Sequence, residues 1–292
     1  MPNYSLQFKA MGSHMQVWLS AASPAAAQIL DQVPDWFEEW EAALSRFRPS
    51  SDLCRLNEHT GEWTVVSPVL FDLVCAARYA AQQSNGMFNP LILGALEAAG
   101  YGHSFDQPMS VQAHAAVSAV APWEALQLDF DRKAVCLPRG ARLDLGGIAK
   151  GWAAQEAVDR LADYGACLVD AGGDLVAHGS PDESGGWVVS VPNLDESADL
   201  YRLLLIDQAA ATSGSDYRQW QRDGQLMHHL IDPRTSQPST SSVLRSTVIA
   251  PDAEAAVVWA KVSLLTEQFS EYPTIFVYRD GAVESNLEIK PL

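Results

Sequence analysis

An α+β fold built mostly from antiparallel sheet is what this 292-residue sequence predicts. Three observations carry that reading. The second half is a run of short strand-like segments with no steady strand–helix–strand rhythm, which disfavours a doubly wound parallel sheet. Helical periodicity is confined to a few separate stretches. The apolar share of 48% and the charged share of 19% are those of a globular chain long enough to bury a full core. No internal repeat or low-complexity linker interrupts the chain, so residues 1–292 are read as a single domain of one or two lobes.

The elements follow in order. A strand is expected around 16–20, and a helical stretch begins near Ser23. Pro34 marks a break in it, while Trp36, Trp40 and Leu44 recur every four residues and give it an apolar face. A polar loop at 48–52 closes it, and a second helix over 68–83 ends before Ser84-Asn85-Gly86. The stretch 95–125 mixes Gly, His, Pro and Ala and reads as short helices and loops. Leu128 and Phe130, then Ala134 and Cys136, alternate about an Asp131-Arg132-Lys133 turn and predict a hairpin. Residues 142–152, RLDLGGIAKGW, read as a strand reaching Asp144, a turn through Gly146 and Gly147, and a helix whose Ala149, Ala153, Ala157, Val158 and Leu161 share one side. Strands are then expected at 166–170, 174–179, 187–191, 203–206 and 243–250, a helix at 252–266, and a strand at 274–278.

A net charge of −17 repels nucleic-acid phosphates and anionic membranes, so a nucleotide-like ligand needs a locally positive pocket drawn from the 19 basic residues. The four cysteines, Cys54, Cys75, Cys136 and Cys167, lack metal-site spacing and read as buried free thiols rather than a zinc site. No basic leader with an apolar stretch opens the chain, and no segment approaches the ~18 apolar residues of a membrane span. A cytoplasmic protein without a membrane span is the expectation.

The turn at 144–150 has chemistry of its own. The first N–H groups of a helix lack intrahelical acceptors and carry the positive end of the dipole, which suits a phosphate, and Lys150 adds a cation. Equally, two glycines can simply make a tight turn in a packed domain. Neither the Walker spacing nor G-x-G-x-x-G is present. Other stretches stand out by residue type: Met11-Gly12-Ser13; Ser45-Arg46-Phe47-Arg48-Pro49; Gly86-Met87-Phe88-Asn89-Pro90; Asp170-Ala171-Gly172-Gly173-Asp174; Thr212-Ser213-Gly214; and His229-Leu230-Ile231-Asp232-Pro233-Arg234-Thr235. Taken singly, each has an ordinary structural role: surface ion pairs for the arginines, core for Phe47 and Phe88, a turn opener for Asp232-Pro233.

In this order, over nearly the whole chain, these stretches resemble the ApbE family of FAD:protein FMN transferases. The resemblance implies that family's fold, with T-fold-like architecture. It also implies binding of FAD and transfer of its FMN half to a threonine or serine hydroxyl of a target flavoprotein, with release of AMP. The family's flavin and adenine contacts would fall on Met11, Phe47, Met87, Phe88, Asn89, Asp144, Gly147, Lys150 and Ile231. His229 would stand beside the reacting phosphate, where an imidazole can relay the hydroxyl proton.

The chain departs from the family's pattern where Mg²⁺ is expected. The Asp and the Thr four residues later that would ligate it align with Val257 and Lys261, and neither supplies an oxygen. Mg²⁺ with one aspartate and a lone Lys261 ammonium each contribute one net positive charge, so Lys261 can stand in for the metal in holding FAD. Lys261 can alternatively extend to solvent, or a shifted register can bring Asp252 or Glu254 to a metal. Two smaller departures are Asn89 in place of an aspartate and Ser236 in place of a glycine, the second strained if that position requires positive φ. Three functions stay open on sequence: FMN transfer, FAD binding without transfer, and FAD pyrophosphate hydrolysis.

Overall fold

An antiparallel sheet of eight strands, whose spatial order is the chain order, organises the computed structural model, which describes residues 4–22, 25–102, 119–183, 185–222 and 224–287. Its strands are β1 (Tyr4–Ala10), β2 (Ser13–Ser20), β3 (Ala166–Ala171), β4 (Asp174–His178), β5 (Gln208–Gly214), β6 (Val243–Ala250), β7 (Thr274–Tyr278) and β8 (Val283–Ser285). Every neighbouring pair is antiparallel. The alternation of side chains sorts the two faces. Met15, Val17, Leu19, Val169, Val176, Ala209, Ala211, Val248 and Ala250 point into the main core. Leu168, Ala177, Ala210 and Ile249 point the other way, where a hairpin of strands Trp187–Pro192 and Asp199–Leu205 covers them with Trp187, Val189 and Leu205.

The main core lies between the sheet and its helices: α1 (Ala25–Leu30), α2 (Val33–Leu44), α3 (Asp52–Glu58), α4 (Pro68–Gln83), α5 (Leu93–Ala98), α6 (Ala149–Leu161) and α7 (Ala253–Thr266). Capping chemistry sets several starts. Ser51, Ser67 and Asp252 accept hydrogen bonds from Cys54, Leu70 and Ala255 N–H at the heads of α3, α4 and α7. Phe8, Phe37, Trp40 and Trp152 run edge to face between β1, α2 and α6, with centroids 5.1–5.7 Å apart. Gly151 lets α6 and α7 approach closely, since a Cβ there would lie 2.5 Å from Val257 Cγ2. No described helix is long and apolar enough to cross a membrane.

The α+β, antiparallel prediction holds, as do the helix at Pro68–Gln83 and the strands at Val243–Ala250 and Thr274–Tyr278. Several details differ. Residues 141–145 form no strand; Asn57 Oδ1 accepts from Leu143 N–H and Asn57 Nδ2 donates to Leu143 O, while Asp144 N–H bonds to Pro90 O and Leu93 N–H to Arg142 O. The strand expected around 16–20 is the second of the sheet, with Tyr4–Ala10 before it, and Met11 and Gly12 lie between the two. They are the turn of a β1–β2 hairpin, with φ 51 and 66, the signs a type I′ turn requires. The break expected at Pro34 is present: α1 ends at Leu30, and Pro34 sits in the first turn of α2. Strand β5 escaped prediction because QAAATSG lacks β-branched bulk, yet small residues are what let α7 pack on it. The loops expected within 95–125 lie partly outside the described residues, at 103–118.

Candidate functional site

Antiparallel pairing brings the β1–β2 turn, the β3–β4 turn and the C-terminal end of β5 to one end of the sheet. A cavity of about 750 Å³ opens there, in the upper part of the usual range for small-molecule clefts. Met11, Phe47, Met87, Phe88, Asn89, Asp144, Gly147, Lys150, His229, Ile231 and Lys261, separated by up to 250 positions in sequence, all line it. Sheet, α6, α7 and loops from the first half each supply part of the wall.

Much of that lining is already committed to internal partners. Asp144 takes Arg46 Nε at 2.7 Å and Gly146 N–H at 3.0 Å, so it anchors the glycine turn and an arginine at once. Arg46 lies 4.1 Å from the Phe47 ring centroid and 4.5 Å from that of Tyr101, and donates to Tyr101 O. Lys150 does not stand free at the helix start: its ammonium meets Asp174 Oδ2 at 2.5 Å and Ala171 O at 3.0 Å. The Asn89 amide donates to Ala121 O and accepts from Leu91 N–H, holding the loop that carries Phe88. Half-exposed Phe47 and buried Phe88 both contribute apolar surface to the lining.

Two cations differ. Lys261 donates only to Val257 O, at 3.3 Å, and Arg218 to the Tyr101 hydroxyl, also at 3.3 Å; neither has a carboxylate partner among the described residues. Lys261 Cε lies 3.3 Å from where a Gly147 Cβ would be, so the stem runs against the glycine turn. Its pKa is pushed down to about 8, first by desolvation, with Lys150 and Arg218 repelling and Asp174 and Asp144 partly offsetting. His229 is pushed down to about 3, chiefly by desolvation and then by Arg218 and Lys261. It is therefore neutral; the Arg218 backbone lies beside its ring, and its buried Nδ1 has no partner of hydrogen-bond geometry among the described residues. The loop that follows is held by Ser236, at φ 58, whose hydroxyl accepts from Val120 N–H at 3.0 Å. The serine does occupy the strained region, and the hydrogen bond helps to hold it there.

A model of the ApbE family matches residues 11–271. The chain belongs to the ApbE family. It is 29% identical over 270 residues to a FAD:protein FMN transferase of Klebsiella pneumoniae (strain 342), covering 88% of this chain and 80% of that one. It is 27% identical over 319 residues to one of Treponema pallidum (strain Nichols), covering 98% and 87%. The crystal structure of the ApbE protein from Thermotoga maritima superposes with a TM-score of 0.85 at 24% identity, over 97% of this chain and 96% of that one. The apo flavinyl transferase ApbE of Pseudomonas stutzeri superposes at 0.82 and 23%, over 97% and 94%. Both likenesses establish an ApbE-type fold.

The Mg²⁺ expected from the ApbE resemblance does not fit the residues present. Val257 is buried, with its methyl turned to Gly151 rather than into the cleft. Lys261 presents an ammonium, and no group of three or more His, Cys, Asp or Glu that could hold a metal exists among the described residues. Sequence reasoning missed Arg218, Tyr101 and Glu41, which also line the cavity. Glu41 accepts from Met11 N–H at 2.6 Å and so fixes the β1–β2 turn. No local spacing marks these residues; only the distance of Arg218 from His229, short in sequence, hinted at a shared site.

Proposed function

We propose that this protein is an enzyme, an FAD:protein FMN transferase that moves FMN from FAD to a serine or threonine hydroxyl of a target flavoprotein and releases AMP. The observation that carries the reading is the cleft onto which residues from every ApbE-type motif converge, with the neutral imidazole of His229 among them. The naming of relatives as FAD:protein FMN transferases supports it.

In this reading Phe47, Met11, Met87 and Phe88 offer faces and polarisable edges to the flat rings of the ligand. The acceptor hydroxyl attacks the phosphorus on the FMN side; the new P–O bond forms as the bond to the AMP phosphate oxygen breaks. His229 accepts the hydroxyl proton, and AMP leaves with the electron pair. A pKa of about 3 makes the imidazole a weak base before ligand arrives. A bound anionic diphosphate raises it, because negative charge favours the protonated ring. Asp144 and Asp174 act here by holding Arg46 and Lys150 in place. The free thiols of Cys54, Cys75, Cys136 and Cys167 support work in a reducing compartment, and we take residues 1–292 to act as one unit.

Incubation of the protein with FAD and a candidate acceptor flavoprotein tests this. Fluorescent, covalent flavin on the acceptor with one AMP released per flavin is the expected result. Replacement of His229 by alanine should slow transfer roughly 10²–10⁴-fold. AMP release without labelling would point instead to pyrophosphate hydrolysis, and tight FAD retention with neither product to a binding protein.

A further inference from the structure

Charge is distributed unevenly among the cations of the cleft. Arg46 is matched by Asp144, Lys150 by Asp174, and Arg48 by Glu38. Lys261 and Arg218 are matched by no carboxylate among the described residues, on a chain whose net charge is −17. Both line the same cavity as the glycine turn and His229. Holding two uncompensated cations together in a partly desolvated cleft is unfavourable unless an anion completes the site.

We propose that the Lys261 ammonium and the Arg218 guanidinium are the resident countercharge for the diphosphate of the dinucleotide, so that FAD binds this chain without a divalent cation. The inference rests on the function proposed above. A dinucleotide diphosphate carries one negative charge on each phosphorus, and the two unmatched cations supply two positive ones. Lys261 meets the geometric requirement because its stem lies against Gly147 and its amine, turned back to Val257 O, is not extended into bulk water. Arg218 lines the same cavity close enough to repel the Lys261 ammonium, and its planar fork is suited to two phosphate oxygens. His229, which lines the same cavity, feels both cations, and they help to keep its ring neutral while no anion is bound. The other charges facing Lys261 are Asp174 and Lys150, paired with each other, and Asp144, paired with Arg46. Val257, facing Gly151, leaves no carboxylate with which a metal would share the site.

FAD affinity measured on the full chain, after chelator treatment and then across a Mg²⁺ titration, tests the proposal. Equal affinity under both conditions is expected. Lys261→Met and Arg218→Met should each weaken FAD roughly ten- to a hundredfold while leaving riboflavin, which has no phosphate, bound as before. Calorimetry at pH 8 in buffers of different ionisation enthalpy should show wild type taking up a fraction of a proton on binding FAD, an uptake absent in Lys261→Met. FAD binding that chelator abolishes and Mg²⁺ restores would overturn the proposal and leave the transferase reading standing. Equal loss of FAD and riboflavin in the variants would reduce both residues to structural roles and also overturn it. Failure of FAD to bind in any condition would remove the proposal and the function together.

Discussion

Lys261 shows how one side chain can trade stability for ligand recognition. Its pKa of about 8, against 10.5 in an unfolded chain, means that the unfolded state holds the proton more tightly throughout that window. Folding stability therefore rises as pH is raised from 8 to 10.5, and below 8 the ammonium is kept in the cleft at a cost. Lys261→Met should raise stability at pH 7 by about 1–2 kcal/mol, a few degrees in Tm, even as it weakens FAD. Thermal melts at pH 7 and pH 9.5 check this: the gain should shrink at the higher pH, and a variant less stable at both would contradict the account. His229 works in a different window. Its folded pKa of about 3 lies below the 6.5 of a free imidazole, so the unfolded chain gains a proton first as pH falls. The stability associated with it is fully present above pH 6.5 and drains as pH drops toward 3. Between pH 6.5 and 5, His229→Gln should lose about 1–2 kcal/mol less unfolding free energy than wild type, as measured by urea denaturation.

The pair α6 and α7 carries the two lysines of the cleft, Lys150 near the start of one and Lys261 within the other. Their separation is set where Gly151 faces Val257, because a methyl at Gly151 would come within 2.5 Å of Val257 Cγ2. Gly151→Ala should therefore wedge the helices apart and destabilise by about 1–3 kcal/mol, outweighing the better helix propensity of alanine. Adding Val257→Ala should recover much of that loss, which a double-mutant cycle by urea denaturation would detect. Additive destabilisation would show that the close approach is not what holds the helices. Because the wedge also shifts both amines, FAD affinity should fall in the single variant and recover in the double one. Small residues serve the neighbouring strand too: α7 packs on β5, whose Ala209 and Ala211 share the main core with Ala253, Ala256 and Ala260 of α7.

Across the whole molecule, a net charge of −17 sets a background repulsion that the cleft has to overcome locally. Screening should relieve it: raising ionic strength from about 0.01 M to 0.2 M should increase the Tm of the ligand-free protein, since the Debye length shrinks from about 30 Å to below 10 Å. A falling Tm would mean that favourable ion pairs such as Arg46–Asp144 outweigh the excess of carboxylates.

Alternation of apolar residues and helical periodicity were enough to place most strands and helices, because both signals are local. The order of chemistry-bearing motifs, from Met11 to Thr235, was enough to identify the ApbE family, and the substitution of Val257 and Lys261 was visible in the same way. Other features depended on contacts that no local pattern records. Asn57 replacing a strand partner at Leu143, the Lys150–Asp174 and Arg46–Asp144 pairs, and the presence of Arg218 in the cleft all arise from residues far apart in the chain. Which cations remain uncompensated is decided by sheet register and helix packing, since an ion pair depends on a few ångströms of separation that sequence spacing does not encode.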